Sequence, residues 1–247
     1  MITTIIFDLD GTLVQTEKLK ALSYAKAAAA LRPELREEDV IEAFKEVVGL
    51  PRHVVAQRLV ALFDLDAPLK GLQEVVPPQT PWQAFVQMRL RIYEDFFKDP
   101  ELLVRNQWPH NVELLKWAKG HSCKVGLATM SRCEQVQRVL DVLELRPYFD
   151  FVASGEDVEL GKPDPQIYLL TAEALGAKPS ECLVIEDSPT GVMSALAAGM
   201  SCVAVSTPFT RVRLRASGVI DSSWIVDDPR YLCSAVERAF NVATHSL

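Results

Sequence analysis

Apolar residues along the chain gather in short continuous runs, at 3–7, 124–128, 151–153, 182–185, 202–205 and 224–226. Strands buried on both faces read this way, because neither side meets water. Between most of the runs lie segments of helical spacing, over 111–119, 133–143, 165–175 and 190–198. Gly120, Gly176 and Gly199 stand where helix ends take left-handed backbone. Strands alternating with helices predict an α/β fold with a Rossmann-like, doubly wound parallel sheet.

One stretch breaks the alternation. From Glu17 to Pro100 only helical periodicity is found, over 17–31, 37–48, 52–63 and 82–97. Pro33, Pro51, Pro68, Pro77, Pro78, Pro81 and Pro100 punctuate it, and Pro51 and Pro81 are placed to begin helices. A helical block directly after the first strand predicts an inserted all-helical cap domain, residues 16–103, in a core made of 1–15 and 104–247. The insertion requires a hinge at 14–16 and a return at 100–107, with Thr16 as the expected N-cap of the first cap helix.

Composition changes this picture little. The 247 residues are 49% hydrophobic and 24% charged, ordinary for a globular chain with a well-buried core. The net charge of −7 and the dispersed basic residues speak against a nucleic-acid groove, so an anionic substrate requires a local positive cluster. Five cysteines without a Cys-x-x-Cys pair read as reduced thiols. With no spanning apolar run and no secretory leader pattern, the expectation is a cytoplasmic protein without a membrane partner, a monomer or weak homodimer.

The chemistry-bearing residues fall where the predicted strands end, the edge at which open parallel sheets bind ligands. The first strand runs into Asp8 and Asp10, which point to the same side of an extended segment, with Gly11 next. Two like charges so close are relieved by a retained proton or by a bound cation. The second core strand ends in Thr129, Met130 and Ser131, whose hydroxyls and backbone N–H groups suit an anion. Lys162, in Gly-Lys-Pro-Asp-Pro, is biased toward a loop by the following proline and can neutralise two negative groups. A later strand ends in Glu186 and Asp187. Each has a plainer reading alone: a strand-to-turn junction, a structural hydroxyl, a solvated lysine, a helix-capping turn. Their convergence on one sheet edge favours a catalytic site.

In this order the motifs resemble the haloacid dehalogenase superfamily, within its phosphatase and beta-phosphoglucomutase branch: Asp8-Leu9-Asp10-Gly11-Thr12, then Thr129, then Lys162, then Glu186-Asp187-Ser188 with Gly191. The resemblance implies that Asp8 attacks phosphorus to form an aspartyl phosphate and that Asp10 acts as acid and then base. It implies Mg2+ held by Asp8, the backbone carbonyl of Asp10, Asp187 and, directly or through water, Glu186. Gly11, Thr129, Met130, Ser131 and Lys162 would hold the phosphoryl oxygens. Asp10 points to phosphoryl transfer, because the true dehalogenases lack the second aspartate. The implied function is hydrolysis of a small phosphorylated metabolite such as a sugar phosphate, with the cap closing over the cleft.

In the cap, Arg52 of Gly49-Leu50-Pro51-Arg52 matches the arginine with which the mutase branch grips a distal phosphate; an exposed helix-start arginine is the alternative. Lys20 stands where the mutase has a histidine, and a lysine does not shuttle protons readily near neutral pH. Gln15 replaces an aspartate common among relatives. His110 reads as a packed or solvated loop residue. Trp82, Phe85, Tyr93, Phe96 and Phe97 line either a pocket or the cap core, the latter being usual at helical spacing. A phosphosugar mutase, a phosphonate hydrolase using a cap lysine, and a non-catalytic phosphate-binding or regulatory module are the alternatives to the phosphatase.

Overall fold

The computed structural model describes residues 1–48, 50–72 and 80–245. Gly49, Pro77 and Pro78, singled out above, lie outside them. In chain order the elements are β1 (Thr4–Phe7), α1 (Thr16–Leu31), α2 (Glu37–Lys45), α3 (Arg52–Leu62), α4 (Asp66–Leu72), α5 (Pro81–Lys98), α6 (Pro100–Arg105) and α7 (Pro109–Gly120), followed by β2 (Lys124–Ala128), α8 (Cys133–Val142), β3 (Phe151–Ala153), α9 (Gln166–Ala174), β4 (Cys182–Glu186), α10 (Pro189–Ala197), β5 (Ser201–Val205), α11 (Arg211–Ser217), β6 (Ile225–Val226) and α12 (Leu232–His245). The chain divides into two compact units, Met1–Gln15 with Leu103–Leu247, and Thr16–Leu102.

In the first unit all six strands run parallel in the order β3-β2-β1-β4-β5-β6. The reversal of direction on either side of β1 makes it the doubly wound sheet that the alternating runs predict. Ile5, Ile6 and Phe7 of β1 and Leu183, Val184 and Ile185 of β4 are wholly buried, which is why these segments are continuous apolar runs. The crossover helices α9 and α10 fold back on the sheet. Tyr168 and Ala172 of α9 and Val192 and Ala195 of α10 share one core cluster with Ile6 and Val184. Beside Leu13, the incoming and outgoing chain run together: Val14 bridges Gln107, and Trp108 N donates to Leu13 O at 2.8 Å.

Helix ends account for several differences from the sequence reading. Gly176 and Gly199 take left-handed backbone as expected, whereas Gly120 is the last residue of α7 and the left-handed position is Ser122. The last apolar run shortens to Ile225–Val226, because residues 222–224 form a 3-10 turn capped by Asp221. Thr16 does not cap α1: it is the first helical residue, and its buried hydroxyl has no partner.

Among its described residues the second unit has helices and no strand. α1 packs on α2 and α5, and α3 packs on α5. The small side chains of Ala21, Ala25, Ala27 and Ala28 let neighbouring helices approach α1. Tyr24 is its aromatic centre, with ring centroids 5.6 Å from Phe44 and 5.5 Å from Phe85. Phe85, Tyr93 and Phe97 are buried in this core, and Trp82 and Phe96 are half-buried. The helices α4 and α6 were not anticipated. The first is short, and the second occupies the stretch read as a simple return.

Candidate active site

Three segments at the carboxyl edge of the sheet are brought together by neighbouring strands. Asp8 follows β1, its N–H bonded to Ile185 O at 3.0 Å, and Thr129 follows β2, its N–H bonded to Ala153 O at 3.1 Å. Glu186 ends β4, and Asp187 begins the turn into α10. The loop before α9 brings in Lys162. This loop is tied to α10 by Ser194 Oγ, which donates to Asp164 O at 2.6 Å.

Lys162 is the hub of the site. Its Nζ donates to Asp8 Oδ1 at 2.7 Å, to Glu186 Oε1 at 2.8 Å and to Ala128 O at 3.0 Å, so its three protons are all used. Its side chain is only 7% exposed, which rules out the solvated-lysine alternative. Burial pulls the ammonium pKa down, but Asp8 and Glu186 outweigh it and hold the group above its ordinary value. Burial also acts on Asp8, opposed by Lys162 but reinforced by Glu186 and Asp10, and pushes its pKa up to about 7.

Asp8 and Asp10 do not share an environment. Asp10 Oδ2 accepts from Ser131 Oγ at 2.5 Å and from Thr129 Oγ1 at 3.2 Å. The two hydroxyls expected on an anion are thus engaged by the second aspartate, and Thr129 Oγ1 also accepts from Ser131 N at 3.1 Å. Met130, between them, is 41% exposed and its side chain lies over Gly161.

A second cluster consists of carboxylates. Oxygens of Asp8, Glu186 and Asp187 lie within 4.8 Å of one another, and all three residues are buried. The Asp10 carboxylate is not in this set. Gly11, at φ +84°, passes so close to Asp187 that a Cβ there would sit 2.1 Å from Oδ2, so only glycine leaves room for that carboxylate. Hard oxygen donors in a buried, negatively charged pocket fit Mg2+.

Glu186 is bound more fully by protein than its reading as a metal ligand anticipates. Oε2 accepts from Asp187 N, Ser188 N and Ser188 Oγ at 2.9–3.0 Å, and Oε1 accepts from Lys162 Nζ and, at 3.1 Å, from Tyr168 OH. With both oxygens saturated, Glu186 is placed to orient the lysine and the Asp187 turn. Tyr168 escaped the sequence reading. Its ring also faces Lys162 Nζ at 4.8 Å, yet on α9 it is spaced like any core residue, and nothing in the sequence marks it.

Arg52 and Lys20 belong to the helical unit. Arg52 begins α3 and is exposed; Lys20, on α1, pairs with Glu17 at 2.7 Å. His110, in the first turn of α7, lies 3.5 Å from Glu113 and is partly exposed, away from the carboxylate cluster. Among the described residues the five cysteines are free thiols, and no helix is long and apolar enough to cross a membrane.

A parallel α/β sheet carrying a buried lysine–carboxylate hub, with two aspartates of separate environment at its carboxyl edge, defines a class of hydrolytic enzyme. The family model of haloacid dehalogenase-like hydrolases matches residues 2–199, and the chain belongs to that family. It is 31% identical over 214 residues to hexitol phosphatase A of Escherichia coli, covering 85% of each chain. It is 29% identical over 196 residues to the phosphorylated carbohydrates phosphatase of Thermotoga maritima, covering 79% of this chain and 81% of that one. The beta-phosphoglucomutase of Clostridium difficile shares the fold at a TM-score of 0.62 and 21% identity, covering 97% of this chain and 99% of that one. A family hydrolase from Deinococcus radiodurans does so at 0.69 and 22%, covering 96% of both.

Proposed function

We propose that the chain is a Mg2+-dependent phosphatase that hydrolyses a small phosphorylated metabolite of the sugar phosphate class through an aspartyl phosphate on Asp8. The observation that carries this reading is the division of labour between the two aspartates. Asp8 is held by Lys162 in the carboxylate cluster, whereas Asp10 is held by two hydroxyls outside it. A nucleophile and a proton carrier require different environments. The named relatives act on hexitol phosphates and phosphorylated carbohydrates, which supports the substrate class.

In this scheme Asp8 Oδ2, the oxygen not bound to Lys162, attacks phosphorus. Asp10 gives its proton to the leaving oxygen and then takes one from the water that hydrolyses the acyl phosphate, with Thr129 and Ser131 fixing its orientation. Lys162 and the backbone N–H after Thr129 balance the charge on the phosphoryl oxygens, whereas the Gly11 N–H is taken by Val14 O at 2.7 Å. Asp8, the Asp10 carbonyl and Asp187 would hold Mg2+, and Glu186 would position them. Bound there, the ion lowers the repulsion between nucleophile and phosphoryl group. Residues 16–103 we assign as the cap domain and 1–15 with 104–247 as the core; the cap supplies substrate selection.

Asp8→Asn is expected to lower Mg2+-dependent turnover of a generic aryl phosphate by on the order of 10³-fold or more. Phosphate release from a panel of sugar phosphates measures the same loss, and activity retained by this variant would remove Asp8 as the nucleophile. Lys20, paired with Glu17, offers no proton shuttle of the kind the mutase reading requires.

A further inference from the structure

Tyr168 meets both halves of the ion pair at the centre of the site. Its side chain is wholly buried on the inward face of α9, in the core cluster that holds Ile6, Ala128, Val184 and Val192. The hydroxyl donates to Glu186 Oε1 at 3.1 Å, the oxygen that also accepts from Lys162 Nζ at 2.8 Å. The ring faces the same ammonium, its centroid 4.8 Å from Nζ. Packing in this cluster would be served by phenylalanine, which carries the same ring. The hydroxyl is an addition to the core, and opposite a carboxylate, which only accepts, it is a donor.

Lys162 has no spare proton in this arrangement, because Asp8 Oδ1, Glu186 Oε1 and Ala128 O take all three. To meet a phosphoryl oxygen it must give one of these bonds up. The bond to Asp8 aims the nucleophile, and Ala128 O is a backbone carbonyl at the buried end of β2. Glu186 Oε1 has a second donor already in place. Nor can Glu186 follow the lysine. Its Oε2 is fixed by Asp187 N, Ser188 N and Ser188 Oγ, and Gly191 backs the carboxylate so closely that a Cβ would lie 1.8 Å from Oε1. A buried carboxylate oxygen left without a donor is costly. The tyrosine hydroxyl offsets that cost, since Oε1 stays bonded when the ammonium turns away.

We propose that Tyr168 is a positioning residue that keeps Glu186 Oε1 satisfied while Lys162 turns one N–H from that oxygen to a phosphoryl oxygen of the substrate. The proposal rests on the phosphatase reading above and adds to it a residue that never touches substrate. No proton changes owner in this step: one hydrogen bond of Lys162 breaks and another forms, with the ring supporting the ammonium by cation–π attraction. In the unliganded protein Lys162 itself serves Oε1, so loss of the hydroxyl leaves that oxygen bonded. In the occupied site it does not, and the penalty falls on the liganded state.

Tyr168→Phe keeps the ring and removes the donor. Titrated with Mg2+ present, orthovanadate, an analogue of the phosphoryl group in transfer, is expected to bind this variant about tenfold more weakly than the wild type. The kcat/KM for an aryl phosphate is expected to fall by a similar factor, with Mg2+ affinity and the ligand-free melting temperature close to those of the wild type. A hydroxyl that only builds the core would act the other way, lowering the ligand-free melting temperature and leaving vanadate affinity unchanged; that result overturns the proposal. An equal loss of Mg2+ affinity also overturns it, since the tyrosine would then act on the carboxylate cluster. So does a Tyr168→Phe chain that does not fold, because the hydroxyl would then serve the resting state. A wild type that neither turns over an aryl phosphate nor binds vanadate overturns the phosphatase reading itself, whereas an active wild type matched by its variant overturns the role of Tyr168 alone.

Discussion

Asp8 shows how much of this site is set by the surroundings of a single side chain. Burial raises its pKa to about 7 despite the ammonium at 2.7 Å, because Glu186 and Asp10 add to the desolvation. The folded state therefore holds a proton on Asp8 that the unfolded chain releases near 3.8. The stability this group adds is full below the lower value and is lost as pH rises through the upper one. A metal needs the deprotonated oxygen, so protons compete with Mg2+ below about pH 7. Calorimetric titrations at pH 5.5, 6.5 and 7.5 are expected to show Mg2+ affinity falling by up to roughly tenfold per pH unit on the acid side. An affinity flat over that range would place the ion away from Asp8. The convergence of Asp8, Lys162 and Asp187 was legible in the sequence, because each follows a strand or loop at one edge of the sheet. That Thr129 and Ser131 bind Asp10, and that Tyr168 binds Glu186, was not, because a hydroxyl carries no sign of which acceptor lies opposite it.

At the scale of elements, the β4–α10 junction fixes the site through backbone geometry. Ser188 caps α10 by accepting from Gly191 N at 3.1 Å while its own hydroxyl donates to Glu186. Gly191 is pressed against that same carboxylate, since a Cβ there would lie 1.8 Å from Glu186 Oε1. Gly191→Ala is expected to push Glu186 off Lys162 and Tyr168 and to destabilise the protein by about 3 kcal/mol or more. Gly120→Ala is the control: it is helical, meets nothing within 4 Å, and should stabilise by about 0.4–1 kcal/mol. Denaturant melts of the two variants test the contrast, and a Gly191→Ala midpoint equal to the wild type would mean that Glu186 is free to move. Strand existence could be read from continuous apolar runs, and most helices from their spacing. The C-terminal end of α7 could not, because Gly120 and Ser122 compete for the left-handed position and only the packed helix decides between them.

For the whole molecule, the metal reading makes folding and ligand binding one equilibrium. A cation held by the Asp8 and Asp187 carboxylates and the Asp10 carbonyl of the folded sheet unit, and by no such arrangement in the unfolded chain, stabilises by about 2.7 kcal/mol at one hundred times its dissociation constant. Thermal melts are expected to shift upward with Mg2+ and to return with a chelator. The wild type should shift more than Asp187→Asn, and equal shifts in both would separate the stabilisation from the carboxylate cluster.

By itself the sequence determined the alternation of strand and helix, the helical block after β1, and the carboxylates and lysine at strand ends, because burial on both faces and chain connectivity leave a periodic record. Only the tertiary structure decided which hydroxyl serves which aspartate, that Glu186 is saturated by protein donors, and that Arg89 is buried between the rings of Tyr24 and Tyr93. Those outcomes depend on distances between residues far apart in the chain, and a one-dimensional pattern of polar and apolar positions does not encode them.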